Sequence, residues 1–247
     1  MRILLVNPNT TAAMTDRIAA AARAAASPSS EIVAMTSRHG PASIEGYFDE
    51  ALSVPGLLDC IRTGEAAGAQ AAIVACFDDT GLDAARAMAA IPVLGLCQSA
   101  LALAALLAKR IAIVTTDARA QAPVEELVER YGMAGRVWVR AAGIAVLALE
   151  DPASDAGAKL RAQIGRALQD DHAEAIVLGC AGMADLAAAL QRDFGVPVID
   201  GVGAAVKQAE ALLALGLATS KRGAYAFPAR KRYDGALAPF AGVEVIV

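Results

Sequence analysis

Two segments of this chain repeat one pattern: AQAAIVACFDDTGLDAARAMAAIPVLG at 69–95 and AEAIVLGCAGMADLAAALQRDFGVPVID at 173–200. Each is a short apolar run, a cysteine, a small or polar loop, a helical stretch and a Pro-Val run. The cysteine-to-proline separations are 92 − 76 = 16 and 197 − 180 = 17. RILLVNPNTT at 2–11 and RIAIVTTDAR at 110–119 match in the same way, each an apolar run that breaks into polar residues. A chain written twice is expected to fold as two copies of one unit. Expected strands are 2–6, 31–36, 71–75, 93–96, 110–115, 136–141, 173–178 and 198–200, separated by longer alanine-rich stretches with apolar residues recurring at three or four. Alternation of this kind predicts an α/β fold with parallel sheets. The expected organisation is two similar flavodoxin-like α/β halves related by internal duplication, 1–97 plus 206–247 and 98–205, with the active site in the cleft between them. The composition suits it: 56% hydrophobic but only 4% aromatic, so Ala, Leu, Val and Ile are left to pack helix on sheet.

Duplication gives the two cysteines equivalent places. Loops after the carboxyl ends of parallel strands line the ligand crevice of such folds, and Cys76 and Cys180 both follow a strand. Each also precedes a helical stretch, whose N-H groups and dipole are expected to lower a thiol's pKa from about 8.5. A thiolate and a thiol on two sides of one carbon are a general base and a general acid, which is racemisation or epimerisation without a cofactor. Loop N-H groups of FDDTG and AGMAD are placed to receive the developing enolate. A lone cysteine is more often packing than catalyst, and Cys60 and Cys97 are read that way.

The segments VNPNTT, RHGPASIEGYFDEA, ACFDDTGLDAAR, VLGCAGMADL, PVIDGVGAAV and KRGAYAFPARKRY together resemble the hydantoin racemases of the aspartate/glutamate/hydantoin racemase superfamily, almost end to end. The resemblance implies racemisation of 5-substituted hydantoins, or of allantoin as in close relatives, with Cys76 and Cys180 as the acid/base pair. Glutamate racemases carry CNT and CTH at the two thiols where this chain has CFDDT and CAG, so a cyclic ureide is favoured over an amino acid. The resemblance breaks at Gln98, where hydantoin racemases often carry an acidic residue. Alternatives are an aspartate or glutamate racemase, or an enolate-forming decarboxylase or isomerase. Arylmalonate decarboxylases keep one of the thiols and maleate isomerases use one as a nucleophile, so two retained cysteines weigh against both. A two-lobed binding module with inert thiols is the non-enzyme alternative.

Expected substrate contacts are Asn7, Thr10, Ile44, Phe77, Asp78, Thr80, Thr115, Thr116, Ala181 and Gly182. For Asn7 an Asx turn is an equal reading, and Asp78 and Asp79 are also suited to loop hydrogen bonds. Ser43, Ile44 and Tyr47 could form a lid. His39 is expected at the pocket edge and His172 in solvent. No metal site is expected, since four cysteines without a CxxC pair and two histidines make no zinc pattern. The net charge of −4 gives no attraction for nucleic acid or anionic membrane, despite Lys221, Arg222, Arg230, Lys231 and Arg232, which are expected solvated or at a subunit contact. Mean hydropathy is +0.46, yet the most apolar window, 91–110, is interrupted by Pro92, Gly95, Gln98 and Ser99. The start of the chain does not read as a signal peptide. The expectation is a cytoplasmic homo-oligomer acting on a small molecule.

Overall fold

The eight expected strands form, within one or two residues of the expected bounds, in a computed structural model of the protein that describes residues 1–151 and 153–241. β1 (Arg2–Asn7), β2 (Glu31–Thr36), β3 (Ala71–Val74) and β4 (Val93–Gly95) make one sheet. β5 (Ile111–Thr115), β6 (Val137–Ala141), β7 (Ala175–Gly179) and β8 (Val198–Asp200) make another. Every pairing is parallel, and the orders β2-β1-β3-β4 and β6-β5-β7-β8 are the same. The repeat in the sequence is therefore a repeat of topology.

Side-chain alternation along each strand divides the interior. Ile3 and Leu5 of β1, with Ile111 and Ile113 of β5, face a central core shared by both sheets. Leu4 and Val6 face an outer core with α2 (Tyr47–Ala66) and α3 (Leu82–Met88). Ala112 and Val114 face the other outer core, with α6 (Ala156–Asp170) and α7 (Ala187–Phe194). Both faces are covered, so the strands are continuous apolar runs.

The central layer holds α1 (Ala12–Ala25), α4 (Leu96–Leu107), α5 (Gln121–Arg130) and α8 (Gly201–Ala214). Here the halves exchange parts. α4 leaves the first sheet yet lies across β7 and β8 of the second, while α8 leaves the second sheet and lies across β3 and β4 of the first. The two helices also pack on each other.

Beyond α8 the chain returns to α3. Lys221 Nζ donates to the carbonyl oxygens of Arg86 and Ala87 at 2.6 and 3.4 Å, a cation at the negative end of that helix, and Tyr225 Oη donates to Asp83 at 2.8 Å. Of the tail cations expected in solvent or at a subunit contact, Lys221 is thus docked within the chain, because helix-end carbonyls need donors. Arg222, Arg230, Lys231 and Arg232 are exposed.

Candidate active site

In both sheets the strand order reverses beside the first strand of the half, between β1 and β3 and between β5 and β7. Parallel α/β folds open their ligand crevice at the carboxyl ends of such strands. Asn7 ends β1, Cys76 follows β3, Thr115 ends β5 and Cys180 follows β7. The ends of the two sheets meet around one narrow cavity of about 40 Å³, with both thiols in its lining. A larger apolar cavity of about 330 Å³ lies among α2, α3 and the tail, away from both thiols.

Of the expected contacts, Ile44, Phe77, Asp78, Thr115, Thr116 and Ala181 line the small cavity with Cys76 and Cys180. Asn7, Thr10, Thr80 and Gly182 stand outside that lining. Asn7 is fully buried and its amide is consumed locally: Nδ2 donates to Asn9 Oδ1 at 2.8 Å and Thr15 Oγ1 at 3.0 Å, and Oδ1 accepts from Asn9 N at 3.2 Å. This turn delivers Asn9 to the cavity instead. Thr10 fastens the segment after β2, its N-H donating to Pro41 O at 2.9 Å, while Thr11 Oγ1 donates to Ala42 O at 2.7 Å. That segment carries Ile44 over the cavity. Tyr47 is exposed and donates to Glu126, and His39 and His172 are exposed.

Met14, Ala75, Ala120, Val146 and Gly179 also line the cavity and were not singled out in the sequence. Val146 had a signal. It lies in the segment after β6 as Ile44 lies in the segment after β2, so the duplication already paired the two loops. Arg17 of α1 donates to Leu149 O and fastens that second loop.

The thiols stand in unequal surroundings. Cys76 is followed by a turn, and α3 begins only at Leu82, so no helix N-terminus points at its sulfur. The expected lowering does not occur there. Burial and then the Asp78 carboxylate push the Cys76 thiol well up, more than polar groups of its own turn offset. Asp78 is itself pushed up to about 7 by burial, then by the Glu50 and Asp79 carboxylates. Cys180 caps the 3-10 turn Ala181–Leu186, and its neighbours Ala181, Gly182 and Met183 carry no charge.

Asp79, next along, has φ +48 and points away from the cavity. Its carboxylate accepts from Cys97 N at 3.0 Å and Gln98 N at 2.9 Å, at the start of α4, and from Tyr131 Oη at 2.7 Å, just past α5. Gly95 makes room, since a Cβ there would lie 2.3 Å from Asp79 Oδ1. Gln98, in place of the acidic residue of the resemblance, accepts at Oε1 from Arg86 Nη2 at 2.6 Å and does not line the cavity. Cys60 and Cys97 are buried in the cores, away from it.

A model of the Asp/Glu/hydantoin racemase family matches residues 3–209, across both sheets and both thiols. The chain belongs to that family. As a racemase of this family it is 48% identical to a hydantoin racemase of Pseudomonas sp. (strain NS671) over 243 residues, 97% of each chain. It is 48% identical to a hydantoin racemase of Rhizobium meliloti, covering 95% of this chain and 98% of that one. An allantoin racemase from Klebsiella pneumoniae superposes with a TM-score of 0.95 at 48% identity, covering 98% of this chain and 99% of that one. The two-sheet α/β architecture and the racemase class are thereby shared along nearly the whole length. Among the described residues no helix is long and apolar enough to cross a membrane, and no group of three or more His, Cys, Asp or Glu is placed to hold a metal ion.

Proposed function

We propose that this racemase interconverts the enantiomers of 5-substituted hydantoins or allantoin, with Cys76 and Cys180 as the acid/base pair. The observation that carries the reading is that two thiols from two sheets line one small cavity. One thiolate takes the C5 proton, and the electron pair of the C-H bond moves onto the adjacent ring carbonyl as an enolate. The other thiol returns a proton to C5 from the other face, the carbonyl reforms, and the two sulfurs have exchanged protonation states. The ring carbonyl supplies the acidity, so the step calls for no metal or cofactor. Among the described residues no Lys, Arg or His lines the cavity, so a substrate carboxylate would find no countercharge there. This supports a neutral ring over an amino acid.

The test uses Cys76→Ala and Cys180→Ala with each pure enantiomer in deuterated water. Chiral chromatography is expected to find racemisation abolished in both. NMR is expected to find C5-H exchange retained by each variant for one enantiomer, opposite in the two. Near-normal racemisation by either variant would sink the two-thiol mechanism.

Three further assignments belong to this reading. Residues 1–97 with 206–247 form one lobe and 98–205 the other, supported by the packing of α8 on β3 and β4 and of α4 on β7 and β8; residues 152 and 242–247 lie outside the described residues. A homo-oligomer is supported by exposed Phe48 and Leu52 on α2 and by Leu106 and Leu107 at the end of α4, and sedimentation tests it. A cytoplasmic location is supported by four free cysteines.

A further inference from the structure

Hydrogen bonds already made sort the polar side chains around the cavity. Besides the two thiols these are Asn9, Asp78, Thr115 and Thr116. Asn9 is committed: Oδ1 accepts from Asn7 Nδ2 at 2.8 Å and Thr11 N at 3.0 Å, and Nδ2 donates to Met14 Sδ at 3.1 Å. Thr115 Oγ1 donates to Gly179 O at 3.1 Å. Among the described residues the side chains of Asp78 and Thr116 make no hydrogen bond, so theirs are the groups left for a bound ring.

Asp79 marks a contrast. That carboxylate accepts from Cys97 N, Gln98 N and Tyr131 Oη outside the cavity, as a buried anion requires. Asp78 is 9% exposed and has no such donor, and no Lys, Arg or His among the described residues lines the cavity. A carboxylate so placed would be costly, the more so beside a thiol that must become a thiolate, whereas a protonated carboxyl carries no such cost. Burial and the Glu50 and Asp79 carboxylates act in the same direction, pushing Asp78 up to about 7. A carboxylic acid is also a stronger donor than the Thr116 hydroxyl. The ring oxygen that most needs a donor is the carbonyl beside C5, which gains charge as the C5 proton leaves.

We propose that Asp78 is a catalytic residue that stays protonated and donates a hydrogen bond to the carbonyl oxygen beside C5 as that oxygen becomes the enolate oxygen. The inference rests on the enolate reading above and deepens it. When a thiolate removes the C5 proton, the electron pair of the C-H bond enters the C4-C5 bond and the carbonyl pair moves onto oxygen. Asp78 keeps its own proton throughout. When the other thiol returns a proton to C5, the carbonyl reforms and the hydrogen bond weakens, so no further reactant is consumed. Both directions pass through one enolate, and one donor serves both hands. The second half agrees: the residue two places after Cys180 is Gly182, which has no side chain.

The test measures kcat/KM by polarimetry from about pH 6 to 8.5 in the full chain, Asp78→Asn and Asp78→Ala, with circular dichroism to verify the fold of each. Alanine removes the donor and is expected to lower kcat/KM about 100-fold or more at pH 7. Asparagine keeps the shape and an N-H donor, and is expected to stay within about tenfold of the parent. If Asp78 acted only through its charge on Cys76, alanine would make that thiol easier to ionise; an unchanged or faster rate overturns the proposal. The groups facing Asp78 are Glu50 of α2, Asp79 of its own turn and the two thiols, and all remain in both variants. Thiolate grows with pH while the acid form of Asp78 declines above about 7, so the parent's kcat/KM is expected to rise to about pH 7 and then level off. In Asp78→Asn it is expected to keep rising, and superimposable profiles overturn the proposal. Deuterium exchange at C5 separates this from failure of the two-thiol reading. Adding Asp78→Ala is expected to slow exchange in both the Cys76→Ala and the Cys180→Ala backgrounds, since either thiol makes the same enolate. Slowing in the Cys180→Ala background alone would make Asp78 a partner of Cys76 only and overturn the proposal. If alanine acts as expected in the full chain while both cysteine variants racemise normally, the two-thiol reading falls and the role of Asp78 stands.

Discussion

A buried carboxyl group held beside the Cys76 thiol is the most informative single residue in this protein. Asp78 titrates at about 7 and Asp79 at about 6, both far above the ordinary 3.8 and both through burial first. Between pH 4 and 7 the native state therefore keeps protons that the unfolded chain has released, so these groups contribute stability at pH 4 that is lost as the pH rises to 7. Glu210 works in a different window. It is held at about 2, burial being outweighed by hydrogen bonds from Lys207 and Ser27, so its contribution is lost below about pH 4.5. Thermal midpoints are expected to climb as the pH is lowered from 8 towards 5 and to fall again below 4. In Asp78→Asn the upper limb should flatten while the lower one stays; an unaltered upper limb would show that Asp78 is ionised throughout. Cys60→Ala and Cys97→Ala are expected to keep full racemisation in a polarimetric assay. Cys97 is fully buried, so its loss costs about 1 kcal/mol or more in denaturant unfolding. That Cys76 and Cys180 would meet at one cavity was legible because duplication gave them equivalent addresses. The environment of Cys76 was not, since a turn of five residues looks in sequence much like the start of a helix.

Among the elements, strands were easier to read than the turns between them. Fully buried parallel strands must be apolar throughout, and Ile3–Val6 or Ile111–Val114 have no other reading once helices flank them. Turns answer to distant partners. Asp79 follows β3 in sequence, but its carboxylate serves the first residues of α4 and the Tyr131 hydroxyl, 18 to 52 residues away. Nothing local to CFDDT announces that role; the need for Gly95 opposite it becomes visible only in three dimensions. Tyr131→Phe is expected to destabilise by about 1–3 kcal/mol, because a buried acceptor loses a donor. Gly95→Ala is expected to cost at least as much, since the new methyl displaces Asp79 from α4. Both are measured by urea unfolding. If Gly95→Ala were neutral, the turn would not depend on this close approach. Both variants should also lower kcat, because the same turn holds Cys76.

At the scale of the molecule, the exchange of α4 and α8 makes the two sheets thermodynamically one object. Each sheet is covered on its inner face by a helix whose chain comes from the other. The single tryptophan, Trp138, sits on β6 and reports on the second sheet alone, whereas far-ultraviolet circular dichroism reports on both. Their unfolding midpoints in urea are expected to coincide, and a separate tryptophan transition would show that the second sheet melts by itself. The cleft at the sheet ends was legible from the repeat. The expected lobe bounds also set most of α8 with the first sheet and most of α4 with the second, although an amphipathic helix does not by itself state which sheet it will cover.

The crossing of α4 and α8 also bears on how such a site can have arisen. Two separate copies of the half-unit, each lending its last helix to the other, would build the same pair of sheets as a domain-swapped homodimer, with identical thiols related by a two-fold axis. Joining the copies into one chain keeps that geometry and removes the obligation of identity. Asp78, Asp79 and Thr80 now follow one cysteine, and Gly182, Met183 and Ala184 the other. A mirror-image reaction is thus served by a site free to treat left and right hands differently, a freedom that an exact dimer of half-chains would not have.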